Sequence, residues 1–129
     1  ILLSIGQGYL TVTPLQIAVL YAAIANKGYT YSPHLAKSLV DFSGEKVEEV
    51  LGKKHEIKNF PKKYYDILND ALIATVAQNN GTTKILRRKD ITVAAKSGSA
   101  QNAHSKTTHA WVAGYFQLIK ILRLFLCAY

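Results

Sequence analysis

The sequence predicts an α+β fold: an antiparallel sheet with packed helices. Three observations carry this. Residues 13–28 and 61–81 hold apolar side chains at helical spacing between start and stop signals, and Ile91 to Ser97 and His109 to Phe116 read as two apolar strands joined by a polar loop. The chain has 129 residues and is 49% hydrophobic, enough for one domain with a core of its own.

The first helix starts strongly. Thr13 caps, Pro14 suits the first turn, and Gln16 three residues on completes a capping box, while Gly28 supplies the stop. Between them Ile17, Leu20, Tyr21, Ile24 and Ala25 form a stripe that packs on a sheet. Leu35 to Leu51 reads as a hairpin, and residues 52–59 as a polar linker. The second helix begins near Pro61 and ends before Gly81, with Tyr64, Leu68, Ala71, Leu72, Thr75 and Val76 on one face. Gly81-Thr82-Thr83 is a loop leading to the strand that begins at Ile91. Residues 102–108 form the polar loop between the last two strands.

Charge is unevenly spread. The net charge is +8; residues 1–83 hold eight Lys/Arg against seven Asp/Glu, and residues 84–129 hold eight against Asp90 alone. Such a field favours anionic partners: a carboxylate-terminated peptide, acidic wall polymer, anionic lipid or nucleic acid. Nucleic acid ranks last, because the cations are not interleaved with stacking aromatics. Lys84 to Lys89 is the main basic cluster, and its default role is a solvated loop or helix end. The single cysteine, Cys127, excludes an internal disulfide. His34, His55, His104 and His109 are scattered without matched carboxylates or thiols, so no metal site is expected.

Chemistry concentrates at Lys96-Ser97-Gly98-Ser99, directly after Ile91-Thr92-Val93-Ala94-Ala95. A strand alternates its side chains, so Lys96 and Gly98 share one face while Ser97 and Ser99 share the other. A cation, two hydroxyls and a glycine at a strand end suit an anionic substrate, and Gly98 lets a ligand or another backbone approach. A strand-borne Lys-Ser/Thr-Gly is one of three signatures of penicillin-recognising serine enzymes.

Ser4-Ile5-Gly6-Gln7-Gly8-Tyr9-Leu10, Thr13-Pro14-Leu15-Gln16-Ile17-Ala18, Val93 to Gln101 and His109-Ala110-Trp111-Val112-Ala113-Gly114-Tyr115 resemble, in order and spacing, consecutive segments of class B penicillin-binding proteins. Within that family they are most similar to the elongation-type group, penicillin-binding protein 2, which are peptidoglycan D,D-transpeptidases. The resemblance implies a penicillin-binding, serine β-lactamase-like transpeptidase fold, of which residues 1–115 would be a partial domain with open sheet edges. It implies that Ser97 and Ser99 hydrogen-bond the carboxylate of substrate or β-lactam, that Lys96 holds positive potential over the site, and that the Ser99 backbone N–H is half of the oxyanion hole. Serine stands at 97 and 99 where the family usually has threonine, and the hydroxyl survives. Serine β-lactamases share the strand signature, but the Ser4 to Ala18 and His109 to Tyr115 segments favour a transpeptidase.

Acyl transfer also needs a nucleophile beside a base, in this family a Ser-x-x-Lys on a helix. Ser43-Gly44-Glu45-Lys46 matches the letters but sits where Ser-Gly is turn chemistry between two extended runs, so it reads as a decoy. The chain contains no Ser-x-Asn. The expectation is a substrate-binding half-site whose nucleophile, together with both missing signatures, lies upstream in a parent protein; these residues alone would be inactive. The resemblance further implies stem peptides and β-lactams as partners of the parent, possible contacts with membrane proteins of the elongation machinery, no cofactor, and a place at the extracytoplasmic face of the bacterial inner membrane, with the anchor outside this chain.

Two matters stay open at this level. Residues 116–129 do not align with the family and read either as a frameshifted or prematurely stopped end, or as an unusual buried strand or amphipathic segment. At fourteen residues with two cations the tail is too short to cross a bilayer, which takes about 20 apolar residues. The alternative function is a non-catalytic module in which the basic half holds an anionic polymer or lipid, and the Lys96 strand merely completes a sheet.

Overall fold

The computed structural model describes residues 6–101, 108–118 and 121–128. Ser4, Ile5, His104 and most of the 102–108 loop lie outside the described residues. Two helices and seven strands follow in the order α1 (Pro14–Ala25), β1 (Tyr29–Tyr31), β2 (Ser38–Val40), β3 (Lys46–Glu49), β4 (Lys54–Glu56), α2 (Lys62–Ala77), β5 (Thr92–Gln101), β6 (Thr108–Leu118) and β7 (Ile121–Ala128). A 3-10 turn at Lys84–Leu86 links α2 to β5.

The first helix forms as its caps dictate. Thr13 Oγ1 accepts from the Gln16 N–H at 3.2 Å, and Gln16 Oε1 accepts from the Thr13 N–H at 2.7 Å, closing both sides of the box. Chain reversal follows through Lys27 and Gly28, the latter at φ +100°.

Three antiparallel sheets are present among the described residues. β5, β6 and β7 form the main sheet in that order, with Ala95 opposite Gly114, Lys96 opposite Ala113 and Gly98 opposite Trp111. Residues 121–128 of the apolar tail therefore pair as its third strand, with Val112 opposite Cys127 and Gly114 opposite Phe125. β2 and β3 make the hairpin expected between Leu35 and Leu51. The third sheet was not legible: β4 pairs with β1, Thr30 opposite His55, inside what reads by sequence as a polar linker. Lys54-His55-Glu56 has no apolar alternation, and its partner lies more than twenty residues back, so only the tertiary fold recruits it.

The sheet has two covered faces. Val93 and Ala95 of β5 pack with Val76 of α2, and Leu86, Ile91 and Phe116 close round them. On the other face α1 packs against β6 and β7. Val76 of the expected α2 stripe is buried, and Leu72 and Thr75 are half-buried, whereas Tyr64 and Leu68 are exposed and Tyr65 is buried in their place. Asn69 accepts a 2.9 Å hydrogen bond from the Tyr115 hydroxyl, so a polar side chain that an apolar count excludes joins the packed side of α2.

Candidate active site

β5 extends further than the sequence implied, carrying Lys96-Ser97-Gly98-Ser99 within the strand. Its outer edge changes character halfway along. At Ala95 the edge is met by α2: Thr75 Oγ1 donates to the Ala95 carbonyl and lies 2.9 Å from the hydroxyl of buried Thr83. One hydroxyl has one proton, so while Thr75 donates to Ala95, Thr83 donates to Thr75. Gly81 makes this possible. A Cβ there would lie 2.0 Å from the Thr75 carbonyl oxygen, so only glycine lets the turn after α2 fold back and place Thr83.

From Lys96 onward α2 is gone. Lys96, Gly98 and Ser99 are exposed and Ser97 half-buried. In an antiparallel strand the N–H and C=O of one residue point to the same side, and successive residues alternate. The Ala95 carbonyl accepts from Thr75, and the Ser97 carbonyl accepts from Lys96 Nζ at 2.7 Å. Both acceptors engage side chains, which assigns residues 95, 97 and 99 to the set whose backbone groups look away from β6. The Ser99 N–H accordingly faces the open edge.

A groove of about 530 Å³ runs beside this edge. Lys96, Ser97, Gly98 and Ser99 line it together with Ile17, Leu20 and Tyr21 of α1, Trp111 of β6, and Gly6 and Gln7 before α1. The fold thus joins three separated stretches that resemble one family: the Gly6-Gln7 turn, the Thr13 helix and the Lys96 strand. A Cβ on Gly98 would meet Trp111 Cβ at 3.9 Å, an ordinary contact, so the glycine is not forced by packing and leaves the groove floor low. Burial raises the Tyr21 hydroxyl above its usual range, and burial with a smaller contribution from Tyr21 pushes Tyr115 up to about 12, so both present neutral phenols behind the groove.

The remaining residues singled out by sequence lie elsewhere. Ser43 Oγ donates to Asp41 at 2.6 Å in the hairpin turn, and Lys46 Nζ pairs with Glu49 at 2.9 Å, so the Ser-x-x-Lys letters hold neither a helix nor a Ser–Lys contact. His55 Nε2 lies 2.9 Å from Ser32 Oγ, and His34 Nδ1 lies 2.6 Å from the Ala36 carbonyl, both exposed. His109 stands exposed on β6. Of the basic cluster, Arg87 Nε donates to the Val76 carbonyl at the end of α2, and Arg88 grips Asp90 with two bonds. No group of three His, Cys, Asp or Glu side chains suited to a metal occurs among the described residues.

Comparison with known proteins now decides the family. The model of the penicillin binding protein transpeptidase domain matches residues 1–119. The chain belongs to the penicillin-binding protein transpeptidase domain family. It is 31% identical over 99 residues to the peptidoglycan D,D-transpeptidase MrdA of Escherichia coli strain K12, covering 76% of this chain and 16% of that protein. Its identity to penicillin-binding protein 1A of Aquifex aeolicus is 32% over 112 residues, covering 87% of this chain and 14% of that one. Among solved structures it superposes on PBPA from Mycobacterium tuberculosis with TM-score 0.73 at 26% identity, over 89% of this chain and 27% of the other. An imipenem acyl-enzyme complex of that protein superposes with TM-score 0.72 at 26% identity, over 89% and 25% of the two chains. The chain therefore spans about a sixth of the MrdA sequence it matches, and its α+β fold is that of penicillin-binding transpeptidase domains, in part.

Sequence reasoning missed Thr83, Gly81 and the α1 wall. Thr75 carried a usable signal, since a hydroxyl within an otherwise apolar helix stripe needs a buried partner.

Proposed function

We propose that Lys96, Ser97, Gly98 and Ser99 form the carboxylate-binding wall of a peptidoglycan D,D-transpeptidase site whose attacking serine comes from another part of the parent protein. The exposure of Lys96 to Ser99 along a groove, immediately beyond the point where α2 seals the same strand, carries this reading. A donor stem peptide ending in D-Ala-D-Ala lies along the open edge of β5, with its carboxylate at Ser97, Ser99 and Lys96. The serine hydroxyl attacks the penultimate carbonyl carbon; the oxyanion is met by the Ser99 N–H and by the serine's own N–H. Collapse expels D-alanine and leaves an acyl-serine, and an amine from a second stem peptide takes the acyl group and frees the serine. A β-lactam enters the same wall by its carboxylate and remains attached. Neither metal nor cofactor is required by these steps.

The Ser43 hydroxyl bonded to Asp41, and the Lys46 ammonium bonded to Glu49, support assigning the nucleophile elsewhere. The site operates at the outer face of the bacterial cytoplasmic membrane, where stem peptides are cross-linked, and membrane proteins of the elongation machinery would be neighbours. No described helix is long and apolar enough to cross a membrane.

Fluorescent penicillin tests the assignment. The purified chain takes no label, and the parent protein carrying its Ser-x-x-Lys does. Lys96→Ala in the parent lowers the acylation rate by about 100-fold. Undiminished labelling of that variant would leave Lys96 a sheet residue in a binding module, and an adduct on Ser43 of the isolated chain would overturn the assignment of the nucleophile.

A further inference from the structure

The β2–β3 hairpin stands apart from the sheet. Its two strands pack chiefly on each other, its strand residues carry an apolar edge of Leu39, Val40 and Val47, each at least half exposed, and Phe42 at its tip is fully exposed. The tip is nonetheless closed by its own hydrogen bonds. Asp41 accepts from the Ser43 N–H, the Ser43 hydroxyl and the Glu45 N–H, its carbonyl accepts from the Gly44 N–H, and Gly44 turns at φ +85°. These bonds to the charged form hold the Asp41 carboxyl below its usual range. An isolated two-stranded hairpin is marginal in water, so ordering this one round a wholly exposed phenyl ring prepares an anchor rather than a core.

Charge names the partner surface. Residues 41–49 hold Asp41, Glu45, Glu48 and Glu49 against Lys46 alone, in a chain of net charge +8. Residues 84–90 reverse that balance, with Lys84, Arg87, Arg88 and Lys89 against Asp90. Beside that basic segment a cavity of about 320 Å³ opens between Ile85, Leu86, Arg88, Val93 and Phe116, with room for one phenyl ring, and Ile85 at its rim is 91% exposed.

We propose that the hairpin tip of one copy docks into the Ile85–Phe116 cavity of a second copy, Phe42 filling the cavity and the acidic collar meeting the Lys84–Lys89 run. The two surfaces differ, so the contact is head-to-tail and leaves a free tip and a free cavity at the ends of each dimer. A hairpin tip buries far less than the 1,200–2,000 Å² of a stable interface, so the association is weak, anchored on one aromatic side chain and sensitive to salt. It is independent of the transpeptidase assignment, and its test uses no substrate.

Sedimentation of the full chain tests it. At low salt the mean mass rises with protein concentration, and at about 0.5 M salt it returns towards the monomer. Phe42→Ala and the surface pair Ile85→Glu/Lys89→Glu each weaken self-association by about tenfold or more without changing the circular dichroism spectrum, because all three side chains are exposed. Mixing these two variants restores a one-to-one dimer, since one retains the cavity and the other the tip. Association that survives Phe42→Ala, or variants that fail to complement each other on mixing, would overturn the proposal.

Discussion

The two halves of β5 share one strand and one ladder, yet Thr92–Ala95 is built as core and Lys96–Gln101 as a site. In the first half Val93, Ala94 and Ala95 are buried, and the last carbonyl is bonded to Thr75. In the second half the helix has passed, and the backbone edge with its cation and hydroxyls faces a groove. The contrast teaches that the site is made less by the strand than by where α2 stops covering it. A short polar clamp of Thr75, Thr83 and Gly81 sets that boundary.

Breaking the clamp has the largest expected effect. Gly81→Ala forces a methyl into the Thr75 carbonyl and costs about 3 kcal/mol, read as a lower midpoint in urea unfolding. An unchanged midpoint would mean that the turn after α2 does not need its glycine. Thr75→Val keeps the shape but strands the Thr83 hydroxyl and removes a donor from Ala95; about 2 kcal/mol is expected, with faster amide exchange in Thr92–Ala95 than in α1. Equal exchange in both segments would show that Thr75 does not hold the strand.

Tyr115 probes the same boundary from the α1 side. Its folded proton is held up to about 12, whereas the unfolded phenol releases it near 10, so folded stability is complete below about pH 10 and is lost as pH rises towards 12. Tyr115→Phe costs about 1 kcal/mol at neutral pH through the lost bond to Asn69, and it flattens the alkaline decline in a melting series. A decline of the same steepness in that variant would assign the alkaline loss to other groups. Smallest is Lys96→Ala, expected to leave the urea midpoint within about 0.5 kcal/mol because its side chain is exposed and, among the described residues, bonds to its neighbour's carbonyl. A large loss there would erase the distinction between the two halves.

Local rules made several features legible. The Thr13-Pro14-x-Gln16 box, the turn chemistry of Ser43-Gly44 and the apolar run into Lys96 all act within four residues, and each formed where the letters placed it. The β1–β4 pair and the inward Asn69 could not be read that way, because their partners, His55 for Thr30 and Tyr115 for Asn69, lie 25 and 46 residues away. The apolar tail was ambiguous for a related reason. A short apolar run does not declare its structure, and residues 121–128 pair with β6 as a strand.

By itself the sequence determined the helix ends, the hairpin turn and the ordering of cation, hydroxyl and glycine at Lys96 to Ser99, because caps, turns and strand alternation are short-range steric and hydrogen-bonding choices. Tertiary structure alone decided which of those groups face a groove. That outcome depends on α2 crossing β5 at Ala95, on Gly81 allowing the turn to close against Thr75, and on α1 standing opposite Trp111, contacts whose formation requires burial shared between segments far apart in the chain.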